Sequence, residues 1–151
     1  MRAVRIHELT GPTGLRLDDD VPEPTVGATD VLIEVRAAGV NFPDVLQSYG
    51  KYQFKPATPF SPGGEVSGVV AAVGTAVRSL AVGDRVAATA LHGGYAERIA
   101  VPELATVKLP DAVSFEVGAA TLLTYGTTYH ALVDRAALRA GESLLVLGAA
   151  G

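Results

Sequence analysis

The residues whose types and spacing most clearly suggest a chemical role lie at the end of the chain. An apolar run over 144–147 breaks into a turn that contains Gly148 and Gly151. Such a turn is typical of the start of a dinucleotide-binding unit, where the first glycine turns the chain and later glycines let the backbone approach a pyrophosphate. Gly148 and Gly151 are therefore candidate cofactor-binding residues. The residues alone leave a second interpretation open, which is a strand followed by a tail of small residues.

Two other side chains have types that suit a binding site. Asn41 follows an apolar strand, and its amide can both donate and accept hydrogen bonds. Asn41 is also a common residue in a turn before a helix, so that alternative stays open. Tyr52 lies in a Pro-rich loop, where an aromatic ring beside a cleft can stack on a flat ligand or pack against the protein itself.

Composition excludes several kinds of chemistry. The 151 residues include no Cys, which removes disulfides, thiolate nucleophiles and Cys-based zinc sites. The net charge is −4 with no basic stripe, so nucleic acid is not the expected partner. No apolar run approaches the ~20 residues of a membrane span, and charges at Arg2 and Arg5 interrupt the start where a signal peptide has its apolar core. We expect a cytoplasmic protein that does not enter a membrane.

Short strands separated by turns are predicted for the first hundred residues. The strands rest on alternating or β-branched residues, and they are predicted at 2–7, 15–21, 30–39, 65–73, 85–89 and 95–101. A short helix is predicted over 41–48, with Pro43 near its start.

The pattern changes after Pro110. Ser114 is a candidate N-cap, and apolar spacing predicts two helices over 114–123 and 126–137, separated at Gly126, before a final strand over 144–147. Strands followed by helices and one strand before a Gly-rich turn predict a mainly β fold with α: a small β-barrel-like domain that leads into a Rossmann α/β domain.

Several short motifs, taken in order, resemble one family. They are Ala37-Ala38-Gly39-Val40-Asn41-Phe42-Pro43-Asp44, Pro62-Gly63-Gly64-Glu65-Val66-Ser67-Gly68, Val82-Gly83-Asp84-Arg85-Val86, Gly93-Gly94-Tyr95-Ala96-Glu97, Thr124-Tyr125-Gly126-Thr127-Thr128-Tyr129-His130 and Leu145-Val146-Leu147-Gly148-Ala149-Ala150-Gly151. The chain resembles the zeta-crystallin-like NADPH:quinone oxidoreductases of the medium-chain dehydrogenase/reductase superfamily.

This resemblance implies a GroES-like catalytic domain, a partly open β-barrel, over 1–122 and the first helix and strand of an incomplete Rossmann domain over 123–151. It implies hydride transfer from NADPH to a quinone. Asn41 and Tyr52 become the candidate catalytic residues, and Asn41 and Thr127 the candidate contacts to the nicotinamide side of the cofactor. A homo-oligomer is expected, and the 151 residues are expected to be an inactive fragment.

The resemblance also bears on metals. Zinc-dependent relatives carry a Cys near the position of Asn41 and a His at that of Gly64, and neither Asn nor Gly replaces such ligands. A zinc-independent enzyme without a metal site is therefore expected. Two alternatives remain, which are reduction of activated alkenes such as 2-enoyl thioesters or enones, and a structural or binding module without activity.

Overall fold

Two antiparallel sheets carry the fold in the computed structural model, which describes residues 1–149. The smaller sheet pairs β1 (Ala3–Ile6) with β2 (Leu15–Asp18). The larger sheet has the order β6-β3-β4-β5-β7 and consists of β3 (Asp30–Ala38), β4 (Glu65–Val73), β5 (Arg85–Thr89), β6 (Arg98–Pro102) and β7 (Thr106–Lys108).

The long central pair β3 and β4 forms because both strands are rich in β-branched residues that pack well on a pleated surface. Register shifts between Leu32 and Ile33 and between Val35 and Ala37 bend β3, as bulges do. The sheet therefore curls into a half-barrel around an apolar core, whose fully buried members include Val31, Ile33, Val66, Val70, Val86 and Val101.

Three short α-helices flank the sheets: α1 (Phe42–Ser48), α2 (Phe115–Gly118) and α3 (Leu122–Tyr129). The Ser114 hydroxyl accepts a hydrogen bond from the Val117 amide at 3.3 Å, which confirms the predicted cap of α2. A π-helical segment, His130–Arg135, continues α3. Single 3₁₀ turns lie at Pro12–Gly14 and Glu103–Ala105.

The predicted division of the helices was wrong. The break falls after Gly118 and not at Gly126, which lies inside α3. A mid-helix glycine costs only about 1 kcal/mol, and a Cβ at Gly126 would meet nothing within 4 Å, so nothing forces the helix to end there. The new helix begins where the Leu123 amide finds an acceptor on β4, a contact between residues far apart in sequence.

Two strand predictions also need correction. The strand predicted over 95–101 begins only at Arg98. Tyr95, before it, makes single hydrogen bonds to the Pro62 carbonyl and to the Val4 amide of β1 instead of joining a ladder. The segment 144–147 was predicted as a strand, but within residues 1–149 it forms no ladder, since a strand needs a partner. Short β7 was not predicted at all.

The predicted fold class is nevertheless confirmed, with strands dominant, a curled half-barrel and a helical segment after it. Within residues 1–149, no helix combines the length and the apolar character needed to cross a bilayer.

Candidate functional site

A buried carboxylate organises the start of α1. Asp44 is 5% exposed and accepts three hydrogen bonds. They come from the Asn41 amide at 2.8 Å, the Gly63 amide at 3.2 Å and the Tyr95 hydroxyl at 3.0 Å. The first of these belongs to a capping box, in which Asn41 is the N-cap of α1. The Asp44 side chain thus joins α1 to the loops that contain Gly63 and Tyr95.

Tyr95 is a polar side chain that this arrangement keeps neutral. Burial raises the pKa of its hydroxyl above the usual value near 10, and the nearby negative charge of Asp44 raises it further. The Tyr95 hydroxyl therefore serves as a hydrogen-bond donor to Asp44 and lies within 3.3 Å of the Gly39 carbonyl.

The side chain of Asn41 is held by a second buried acid. Its Nδ2 donates to Glu65 Oε2 at 3.2 Å, while Glu65 Oε1 accepts from the Leu123 amide at 2.9 Å. Leu123 lies in the first turn of α3, where backbone amides have no partner within the helix. Asn41, β4 and the start of α3 are therefore joined through one carboxylate.

A cleft of about 670 Å³ lies beside this network. Its lining includes Pro43, Asp44, Tyr52, Leu91, His92 and Leu123. The predicted residue Tyr52 thus lines the cleft, whereas the predicted residue Asn41 is not among the lining residues and comes two residues before Pro43, which is. The structure brings Tyr52 and His92 together, and it places Asn41 at the edge of the same region.

His92, which lines the cleft, belongs to a cluster of aromatic rings. The His92 ring stacks on Phe54 with centroids 5.6 Å apart and meets the edge of Phe60 at 6.0 Å. Burial lowers the pKa of His92 below its usual value, so the ring is neutral at pH 7. Within the cleft lining, the rings of His92 and Tyr52 are suited to a planar apolar ligand.

The predicted cofactor contact Thr127 lies on the exposed surface of α3. Its neighbours Thr121, Thr124 and Thr128 donate their hydroxyls to carbonyls one turn back, at 2.6, 2.7 and 2.9 Å. Among the hydrogen bonds of residues 1–149, the Thr127 hydroxyl takes part in none. Its hydroxyl is thus available to a ligand in a way that those of its neighbours are not.

The glycines of the final turn are described only in part. Gly148 has a φ of 67°, in the left-handed region that favours glycine, and a Cβ there would meet nothing within 4 Å. Gly148 therefore turns the chain, as the first glycine of such a turn does. Gly151 lies outside the described residues, so its predicted role stays a prediction.

Metal ligands do not converge in the described part of the chain. In residues 1–149, no three His, Asp or Glu side chains cluster as a metal site requires. Asp44 already accepts three hydrogen bonds, and His92 stands apart from it among aromatic rings.

Sequence reasoning missed part of this arrangement. The sequence analysis selected neither His92 nor Glu65 as a candidate site residue. The signal for Glu65 was available, because an acid in an apolar strand needs partners. No local pattern indicates the ring stack of His92, which depends on a loop nearly forty residues earlier in the chain.

Comparison with known proteins gives a consistent result. The alcohol dehydrogenase GroES-like domain family matches residues 27–111. The chain is 42% identical to the quinone oxidoreductase of Homo sapiens over 100% of its own length and 46% of that protein. It thus spans about half the length of the curated relatives it matches.

Solved structures share the fold as well. A probable oxidoreductase from Mycobacterium abscessus superposes with a TM-score of 0.92 at 43% identity, covering 100% of this chain and 48% of that one. The quinone oxidoreductase of Thermus thermophilus, also solved in complex with NADPH, gives a TM-score of 0.79 at 39% identity, covering 94% and 43%.

Proposed function

The chain belongs to the alcohol dehydrogenase GroES-like domain family, and from that premise we propose that it supplies the catalytic domain of a zinc-independent NADPH:quinone oxidoreductase. The observation that carries the proposal is the similarity along the whole chain to quinone oxidoreductases. The neutral ring of His92 and the ring of Tyr52, which both line the cleft, support a flat substrate of low polarity.

NADPH, when bound, supplies a hydride from its nicotinamide ring to the substrate. The chain's own residues are proposed to hold and orient the two partners. Thr127 has a hydroxyl without a partner in the helix, and Asn41 has an amide fixed on one side by Glu65, so both suit a contact to the nicotinamide side of the cofactor. Tyr52 is proposed to hold the quinone ring in the cleft.

The division of the chain is part of the same proposal. Residues 1–122 would be the catalytic domain and residues 123–151 the beginning of a Rossmann domain, in which Gly148 and Gly151 approach the phosphates. The 151 residues alone are proposed not to turn over NADPH, because they span only about half the length of the quinone oxidoreductases that they match. A cytoplasmic location remains a prediction.

The test uses a protein that joins this chain to a complete nucleotide-binding domain. We expect oxidation of NADPH with 1,4-benzoquinone, full activity after dialysis against a chelator, and weaker turnover with a 2-enoyl thioester. Preference for the thioester would favour the alternative of an enoyl reductase. A loss of activity that zinc restores would refute zinc independence.

Paired variants test the site residues. Thr127→Ala should lower kcat/KM for NADPH roughly tenfold, as expected for one lost hydrogen bond, while Thr128→Ala should not, because that hydroxyl serves the helix. Asn41→Ser keeps a good N-cap but removes the amide. If Asn41→Ser leaves the KM for NADPH unchanged, Asn41 is only a cap and its proposed role is wrong.

A further inference from the structure

Glu65 is a buried acid without a cationic partner. It is 1% exposed at the start of β4, and within residues 1–149 no Lys, Arg or His forms an ion pair with it. Burying an unpaired carboxylate is costly, and an apolar side chain would avoid that cost at this position. Stability of the sheet therefore does not explain why an acid stands there.

Each oxygen of Glu65 has a different partner. Oε1 accepts from the Leu123 amide at 2.9 Å and Oε2 accepts from Asn41 Nδ2 at 3.2 Å. Thr121, the N-cap of α3, makes no side-chain cap, so Glu65 replaces it from another element. A carboxylate at this end also interacts favourably with the helix dipole.

The same carboxylate determines which way the Asn41 amide faces. Both oxygens of Glu65 accept hydrogen bonds, so the side chain selects the orientation in which Nδ2 of Asn41 points at Glu65 and Oδ1 does not. The backbone of Asn41 is fixed separately by Asp44 at 2.8 Å. Glu65 therefore controls the amide, while Asp44 controls the backbone.

We propose that Glu65 is a positioning residue that fixes the amide of Asn41 and the start of α3 relative to each other. Asn41 and α3, which carries Thr127, are the two elements assigned above to the nicotinamide side of the cofactor. The expected effect on cofactor binding rests on the proposed function, whereas the positioning of Asn41 and α3 does not.

Glu65→Gln separates the two hydrogen bonds. The glutamine side chain has one oxygen and one NH₂ group. If its oxygen accepts from the Leu123 amide, its NH₂ group faces Nδ2 of Asn41, and both of these groups are donors. The Asn41 amide must then turn over. Glu65→Ala removes both contacts, and Glu116→Gln, an exposed acid at the start of α2, is the matched control.

NMR of the chain itself tests the positioning. We expect the Asn41 side-chain NH₂ resonances to shift in Glu65→Gln and not in Glu116→Gln. The Leu123 amide should lose protection from hydrogen exchange in Glu65→Ala but keep it in Glu65→Gln. Unchanged Asn41 resonances in Glu65→Gln, or full protection of Leu123 in Glu65→Ala, would overturn the proposal without reference to any activity.

Kinetics in the joined protein test the consequence for the cofactor. Glu65→Gln should raise the KM for NADPH roughly tenfold and leave the KM for quinone unchanged. Adding Asn41→Asp should restore it, because a carboxylate there accepts from the introduced NH₂ group. Equal effects on both KM values, or no rescue, would refute the positioning of cofactor contacts. A wild-type protein that binds no NADPH would instead refute the proposed function, while the NMR result still decides the role of Glu65.

Discussion

Replacement of Asp44 by Ala should be among the most destabilising changes in the chain. The substitution leaves the buried Gly63 amide without an acceptor, removes the capping box at Asn41 and takes the charged partner from Tyr95. An orphaned buried donor costs about 1–3 kcal/mol and a lost cap about 1 kcal/mol. The Tyr95 hydroxyl can still donate to the Gly39 carbonyl, so loss of its hydrogen bond to Asp44 adds only about 1 kcal/mol. The sum is about 4 kcal/mol.

Urea unfolding followed by far-UV circular dichroism measures this loss, since the chain has no Trp for fluorescence. Asp111→Ala, at a fully exposed acid, should change the free energy of unfolding by less than about 0.5 kcal/mol. Asp44→Asn keeps one acceptor oxygen and should lose about 2 kcal/mol, which keeps the test usable if Asp44→Ala does not fold. If Asp44→Ala costs less than about 1 kcal/mol with an unchanged m-value, the three hydrogen bonds do not carry the weight assigned to them.

Three other outcomes follow from the structure. The pKa of Tyr95 is raised in the folded state, so the unfolded chain loses that proton first and the free energy of unfolding falls above about pH 10. In urea titrations, the difference in the free energy of unfolding between wild type and Tyr95→Phe should therefore narrow above that pH. The pKa of His92 is lowered in the folded state, so below about pH 6.5 the unfolded chain gains a proton first and the wild type loses stability. The variant His92→Phe keeps an aromatic ring for the stack but cannot gain that proton. It should therefore gain stability relative to wild type as the pH falls from about 7 to about 5. The apolar side chains of Tyr125, Leu145 and Leu147 are 71%, 82% and 85% exposed, so the chain should self-associate in sedimentation experiments, and a version that ends at Pro110 should stay monomeric. A monomeric full chain at high micromolar concentration would contradict this last expectation.

Local sequence signals predicted the parts of the fold that local interactions decide. β4 has the predicted bounds, Ser114 caps α2, and α1 begins at Phe42, one residue after the predicted start. Each of these depends on residue types within one short segment, such as β-branched runs or a cap followed by a helix.

Pairing between distant segments decided the remainder. The delayed start of β6 and the absence of a ladder at 144–147 both depend on which other segment lies alongside. The site shows the same limit. Residue type was enough to name Asn41 and Tyr52 as candidates, but the partners of Glu65 lie 24 and 58 residues away in sequence, and no periodicity reveals them.

The two buried acids favour the proposal that Asn41 is more than a turn residue. An N-cap requires only that one oxygen meet the first helical amides, and Ser or Asp would serve equally well. Here Asp44 holds the backbone of Asn41 at 2.8 Å and Glu65 holds its side chain at 3.2 Å, and both acids receive only N–H and O–H donors that carry no charge. Two carboxylates buried at that cost would fix one amide in a single orientation, and such preorganisation suits the proposed binding contact better than it suits a turn.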